Sequence, residues 1–548
     1  MMTEGVRDKA TASEHRALNR AECRKLELIR QFGTTGSLML LFGSLGAGAL
    51  PIYNPIITAP VIGLFSRAYS ATLAVAFLGM GMLIASWLLL GRYAMPGRPA
   101  MISRSQLNRT LMMWGIPLIF TVPLFSRDVY SYLAQGSIVT HGLDPYEVGP
   151  GPALGQDHLL TRGVSNMWRE TPAPYGPLFL FLSHLLNTVT GDHVITGVLA
   201  QRLLALVGIA LFVWALPRLA ERFGVHPVVA LWLGAANPLV LFHLVSGVHN
   251  EALSIGLMMA GIELGVRRLP PIVAGGPPHP LQRGEWTYIL LGVVLITLGA
   301  AVKIPAATAL AFLGVMIARR WGATWKSFLS VAAIFLVVAV ATMTLIGLAT
   351  GLGFGWLGAL GTPGMVRSYM SPVAQLANLG GVMGIAMGLG NHTTAVLDVL
   401  TPLGNVVATG ITAWMIWDSF KGRRSPMTGL GVSLAAALIL LPSLQPWYLL
   451  YAVIPLSASM AGTKRFRTLT AIGCTIFAIS IPPPGSSFIG RAHLVPLGYL
   501  TAGLVLAIML VLLNRKLEFW PRLARLTRRP SRRTRQTPAQ TTVDDRTR

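Results

Sequence analysis

Charge is scarce in this sequence. Only 12% of its 548 residues are Asp, Glu, Lys or Arg, about half the share of an average soluble domain. That excludes an ordinary soluble globular fold, which needs far more polar surface. Cysteine is scarcer still: Cys23 and Cys474 are the only two, so no disulfide framework is expected. A Walker loop, a GxSxG elbow, an HExxH helix and a CxxC pair are all absent. Nucleotide-driven pumping, serine hydrolysis and zinc proteolysis therefore have no support. Sustained polar–apolar alternation is missing too, which excludes an outer-membrane barrel. The first apolar run begins only near Thr34 and lacks a small-residue cleavage signature, so no cleavable signal peptide is expected.

Apolar runs are what the chain has in quantity. Each is close to the ~20 residues a helix needs to cross a bilayer core. They fall at roughly 34–51, 69–91, 110–125, 195–217, 228–246, 250–266, 286–302, 305–318, 327–350, 394–417, 427–442, 447–461, 468–482 and 494–513. The expected fold is thus all-α: a polytopic transmembrane helix bundle of about fourteen spans with both termini cytoplasmic. Residues 1–33 form a basic cytoplasmic segment, 34–514 the membrane domain, and 515–548 a basic, disordered cytoplasmic tail. The apolar stretch 177–189 does not fit this topology and is read as re-entrant or interfacial.

The net charge of +24 points to membrane topology and not to nucleic acid. Basic residues cluster between apolar runs, as at Arg267 with Arg268, Arg319 with Arg320, Lys421 to Arg424 and Lys464 to Arg467. This is the positive-inside pattern. Eleven of the 44 basic residues follow Asn514, suiting a tail that touches anionic lipid. Two long segments, 126–193 and 351–393, then lie outside. Long loops on a compact protein are more often functional than idle.

Several polar residues converge on that outer side. Asp128 directly follows the third run, and a helix starting there puts Tyr132 and Gln135 on its face. Asp128 is either a general base for a hydroxyl or an ordinary helix-start acid. Lys303 lies between two apolar runs ahead of Pro305; it either binds a lipid phosphate or snorkels to headgroups. His249, Asn250 and Glu251 join two spans and either bind sugar or cap a helix. Gln445, Trp447 and Tyr448 open another span, for sugar stacking or interfacial anchoring. Arg202 is a further intramembrane charge, open to pairing with Asp192 or another acid. His249 and Glu251 lack a recognisable metal-ligand set.

Taken together, SRDVYSY (126–132), GLDPY (142–146), PYGPL (174–178), NPL (237–239), HNE (249–251), Lys303-Ile304-Pro305 and QPWY (445–448) resemble the glycosyltransferase-C superfamily. The closer resemblance is to actinobacterial polyprenol-phosphate-mannose-dependent α-1,6-mannosyltransferases, over about residues 30–515. The resemblance implies a membrane mannosyltransferase of lipomannan and lipoarabinomannan core synthesis, working on the outer face of the plasma membrane. It implies Asp128 as catalytic base, with Lys303 and Arg202 at the donor phosphate. Tyr132, Asp144, Tyr146, Tyr175, His249, Asn250, Glu251, Gln445, Trp447 and Tyr448 would then face sugar or acceptor. Arg127 stands where many relatives carry a second acid, so one base is expected. HNE replaces the HND of relatives. The donor would be lipid-linked polyprenyl-phosphate mannose and the acceptor a lipid-anchored mannan; no cofactor, metal or nucleic acid is implied. Another polyprenyl-phosphate sugar (arabinose or glucose) stays open as donor. A secondary transporter or lipid flippase is the alternative of another class, although no inverted repeat supports it.

Overall fold

The computed structural model describes residues 16–95, 100–270, 283–365, 367–485 and 490–520. The basic stretches expected at the extreme ends, including Arg528, Arg529, Arg532, Arg533 and Arg535, lie outside the described residues. Among the described residues the chain is all-helical, apart from one isolated bridge between Arg16 and Ala100.

Each of the fourteen apolar runs falls on helix. Among the described residues six helices are long and apolar enough to cross a membrane: Tyr69–Ala94, Val194–Arg222, Arg283–Ala300, Trp325–Thr350, Thr393–Phe420 and Leu494–Leu517. The other runs lie on shorter or more charged helices, so length and composition do not reproduce a count of fourteen. The stretch read as re-entrant or interfacial is a 14-residue helix, Pro177–Thr190, with proline at its first turn, where a missing N–H costs nothing.

The first helix begins at Arg20, well before Thr34. Asn19 and Glu22 form a reciprocal capping box there, which satisfies two otherwise orphaned donors. Charge does not stop this helix, because Arg30 is buried against Glu27 at 2.5 Å and donates to the Thr110 hydroxyl at 3.1 Å. The run expected at 228–246 is broken. Helix Pro227–Gly234 ends before Asn237-Pro238, and Val240–Ser246 winds as a π-helix. Pro238 has no N–H to continue the ladder, and the Asn237 side chain accepts from the Leu239 amide instead.

Four of these helices set up the site, labelled α1 (Asp128–Thr140), α2 (Val194–Arg222), α3 (Glu251–Val266) and α4 (Thr308–Arg320). Helices α2 and α3 meet through Gly208 and Gly256. A Cβ on Gly208 would lie 2.2 Å from the Ala252 carbonyl oxygen, and one on Gly256 2.2 Å from that of Gly208. Close backbone approach of this kind is how helices associate where no hydrophobic force separates protein from lipid. Elsewhere the surface is apolar: Leu336, Val337, Val406, Leu500 and Ile508 all point outward, as side chains solvated by lipid would.

Candidate active site

The site forms where α1, α3 and the chain before α4 begin. Asp128 is the first residue of α1, and its backbone N–H donates to the Ser126 hydroxyl at 3.0 Å. Its carboxylate Oδ2 lies 3.5 Å from Nδ1 of His249, which is 3.9 Å from Oε2 of Glu251. The other oxygen of Glu251 is paired with the Lys303 ammonium. Lys303 also reaches the Tyr448 hydroxyl at 3.5 Å and sits over the Tyr448 and Tyr175 rings at 4.7 and 5.9 Å. Four polar groups from three separate stretches of chain thus form one line.

Aromatic rings hold that line in place. Trp447 stacks on His249 with centroids 3.7 Å apart. Tyr132 packs edge-on against Tyr175 at 5.2 Å, and its hydroxyl accepts from the Asn250 N–H at 3.5 Å. The backbone is strained just ahead of Asp128 and of His249: Phe125 and Val248 have φ of 69° and 59°. Non-glycine residues hold such angles only where their surroundings over-determine them, and such sites are commonly functional.

Several buried polar atoms here have no protein partner: both ring nitrogens of His249, both amide atoms of Asn250, Oε2 of Glu251, Oε1 of Gln135 and Nε1 of Trp447. Natural folds rarely leave buried polar atoms unpaired, each costing about 1–3 kcal/mol, without a reason such as a ligand. A hydroxyl-rich ligand matches this set of donors and acceptors. Asp128 keeps 26% of its side-chain surface exposed and Lys303 17%, whereas Glu251 and His249 are fully enclosed. Burial pushes the Asp128 carboxyl up to about 6; Glu251 adds to the rise, while the Ser126 hydroxyl and Lys303 oppose it. Burial likewise holds the His249 imidazole well below the usual histidine range, so it meets Asp128 as a neutral ring. Among the described residues no group of three His, Cys, Asp or Glu converges in a way that could hold a metal ion.

Other expected residues have different surroundings. The Asp144 carboxylate accepts from the Tyr146 amide at 2.8 Å, and the Tyr146 hydroxyl donates to the Tyr175 carbonyl at 2.9 Å. Both residues brace the GLDPY turn against PYGPL. PYGPL in turn grips the Lys303 loop: the amides of Gly176 and Leu178 donate to the carbonyls of Val302 and Ala301. A Cβ on Gly176 would stand 2.1 Å from the Ala301 oxygen, so only glycine fits. Gln445 precedes the 3-10 turn Pro446–Tyr448 that presents Trp447 to His249.

Arg202 does not pair with Asp192. Its guanidinium donates to the carbonyls of Ile119, Val245 and Ser246 at 2.6, 3.0 and 3.2 Å. These carbonyls end helix Arg104–Ile119 and the π-helix, where oxygens lack intrahelical partners and the dipole is negative. Asp192 instead accepts from Ser137 and Asn187. Arg202 also lines, with Tyr130 and Val198, a mainly apolar cavity of about 220 Å³. His243 escaped the sequence reading; it lies 6.0 Å from His249 and 5.3 Å from Trp447, ring to ring. A lone histidine inside an apolar run was the available signal.

Residues 30–319 match the family model described as alpha-(1->6)-mannopyranosyltransferase, N-terminal domain, and residues 373–511 match that of the MptB C-terminal domain. The chain is 42% identical over 514 residues to a probable alpha-(1->6)-mannopyranosyltransferase of Mycolicibacterium smegmatis, covering 92% of this chain and 91% of that one. It is 41% identical over 498 residues to an alpha-(1->6)-mannopyranosyltransferase of Mycobacterium tuberculosis, covering 85% and 84%. To alpha-(1->6)-mannopyranosyltransferase B of Corynebacterium glutamicum it is 36% identical over 473 residues, covering 84% and 78%. No solved structure matches significantly.

Proposed function

The chain belongs to the alpha-(1->6)-mannopyranosyltransferase family, a membrane glycosyltransferase, and on that premise we propose that it extends a lipid-anchored mannan from polyprenyl-phosphate mannose. The reaction runs with inversion on the outer face of the plasma membrane, in lipomannan and lipoarabinomannan core synthesis. One observation carries the reading: a partly exposed Asp128 carboxylate opening onto the His249 ring nitrogens, the Asn250 amide and Oε2 of Glu251, all buried without a hydrogen-bond partner.

Asp128 takes the proton from the acceptor's 6-hydroxyl as that oxygen bonds to the anomeric carbon. The bond from that carbon to the phosphate oxygen breaks on the opposite face, and polyprenyl phosphate leaves with the electron pair. A carboxyl poised near 6 is unprotonated at neutral pH yet basic enough to accept a proton. Phosphate is already a good leaving group, so no second acid is required, unlike in an inverting glycosidase. Lys303 supplies positive charge where the phosphate departs. Its pairing with Glu251 means that the phosphate joins an existing ion pair. Tyr448, less enclosed than Tyr132, Tyr175 and Trp447, offers a ring for the sugars. The apolar cavity beside Tyr130, with Arg202 in its wall, suits the isoprenoid next to the phosphate. Docking both lipid-linked reactants at one site lowers the entropic part of the barrier.

Membranes carrying the wild-type chain or Asp128→Asn, given radiolabelled polyprenyl-phosphate mannose and a short α-1,6-mannoside, test this. Transfer by the wild type and its loss in the variant are expected. Transfer from polyprenyl-phosphate arabinose in place of mannose would change the donor. Uptake of label without any transfer would sink the enzyme reading.

A further inference from the structure

Helices α3 and α4 start at the Glu251 and Lys303 site and end at a second cavity. Sixteen residues of α3 carry it roughly 24 Å away at 1.5 Å per residue. This cavity, of about 300 Å³, draws Arg222 from the end of α2, Arg319 from the end of α4, and Arg423 and Arg424 from the turn after helix Thr393–Phe420. Ser425 and Pro426, which open helix Pro426–Ile439, complete the polar side. Apolar residues complete the lining: Phe223, Val266, Leu269 and Met316.

Acidic neighbours do not balance this charge. Asp418 pairs with Arg424 at 3.0 Å, and Glu263 with Arg267 at 3.0 Å. Arg222 donates to the carbonyls of Leu269 and Pro270 at 3.0 and 3.1 Å, and Arg319 only reaches the Ser419 carbonyl at 3.5 Å. No carboxylate pairs with Arg319 or Arg423 among the described residues. The Ser425 hydroxyl, on the cavity wall, is buried without a hydrogen-bond partner, and it gives the helix it precedes no side-chain cap. That helix terminus adds partial positive charge to the same space. Guanidinium groups converging with a free hydroxyl and a helix N-terminus match the oxygens of a phosphate. The apolar lining matches an acyl chain attached to it.

We propose that this cavity is a phosphate-binding site, remote from the reaction centre, that holds the phosphodiester of an anionic lipid. A free phosphate would use the same donors, and the test separates the two. The full-length protein is placed in nanodiscs of phosphatidylinositol with phosphatidylcholine, and the lipid retained on release into detergent is counted by native mass spectrometry. Wild type should retain phosphatidylinositol over phosphatidylcholine, with Arg319→Gln and Arg423→Gln each weakening retention about tenfold, as loss of one charged hydrogen bond implies. A Lys464→Gln/Arg465→Gln variant removes two cations from another basic cluster and should retain lipid as wild type does. Thermal unfolding of each variant must match wild type for its retention to count; Arg423→Gln, on an exposed turn, guards against failure of Arg319→Gln to fold. Displacement of the retained lipid by millimolar inorganic phosphate alone would make the ligand a soluble phosphate. Equal retention of phosphatidylcholine, or equal loss in the Lys464 and Arg465 variant, would overturn the site.

Discussion

The two ends of α3 and α4 are built from opposite materials. At one end carboxylates, a neutral histidine and aromatic rings enclose a single ammonium, with strained backbone at Phe125 and Val248. At the other, guanidinium groups gather over helix ends, one of them tied to Asp418. The first end has polar atoms in excess of partners, as a centre that must grip a changing substrate requires. The second has positive charge in excess, as a permanent anchor to anions requires. Helix α3 links the two ends while its backbone lies close against α2 at Gly208 and Gly256.

The largest way to break this contrast is to remove the base. Asp128→Asn keeps the shape of the acid but not its proton affinity, and turnover should fall roughly 10²–10⁴-fold with normal protein level. Near-normal transfer by the variant would move the reaction centre elsewhere. Next in size is the ion pair. Lys303→Gln leaves Glu251 buried without its cation, which should cost roughly 3–5 kcal/mol in unfolding stability. Lys303→Gln/Glu251→Gln should recover most of that stability while the donor KM stays raised. A recovered donor KM in the double variant would deny the ammonium any role with phosphate.

A smaller effect concerns pH. With Asp128 held up near 6, the unprotonated fraction that accepts the proton rises through that range. The kcat/KM for transfer should therefore be about tenfold lower at pH 5 than at pH 7, with no such limb in the residual activity of Asp128→Asn. An unchanged rate between these values would place the carboxyl at an ordinary acidity. The least perturbing test asks which side of the membrane each end faces. After replacement of Cys23 and Cys474, a cysteine at Asp157, an exposed position, should react with an impermeant thiol reagent from outside. One at Lys421 should not. The reverse pattern would exchange the two ends.

Helix positions were legible because a run of apolar residues carries its own signal, and every run expected from the sequence is helical. Where reading failed, long-range partners decided. The first apolar run begins near Thr34, yet the helix starts at Arg20, with Arg30 absorbed by Thr110 and Glu27. Lys303 reads as an ammonium in need of an anion, and Glu251, 52 residues away, supplies it. Arg202 reads as half of an ion pair, but carbonyls at two helix ends serve it better than Asp192. The basic clusters were visible as marks of topology. Their meeting around one cavity depends on the register of α2, α4 and the turn at 421–425, which no local pattern encodes.

Within the long segment 126–193 the chain pinches together at Gly149 and Glu170, which bears on how that loop can change over generations. A Cβ on Gly149 would lie 2.6 Å from the carbonyl carbon of Glu170, so the chain leaves at 149 and returns to the same point at 170. Residues 150–169 form a closed excursion, pinned to α1 where the Arg127 guanidinium donates to the Arg162 carbonyl at 3.4 Å. Its outer edge, Gly155 to Asp157, is exposed. Extra residues inserted at that edge would lengthen the excursion at only about 0.6 kcal/mol per doubling, without passing any displacement through the neck to Tyr175 or Lys303. Lineages can thus lengthen this excursion while the machinery behind it keeps its register.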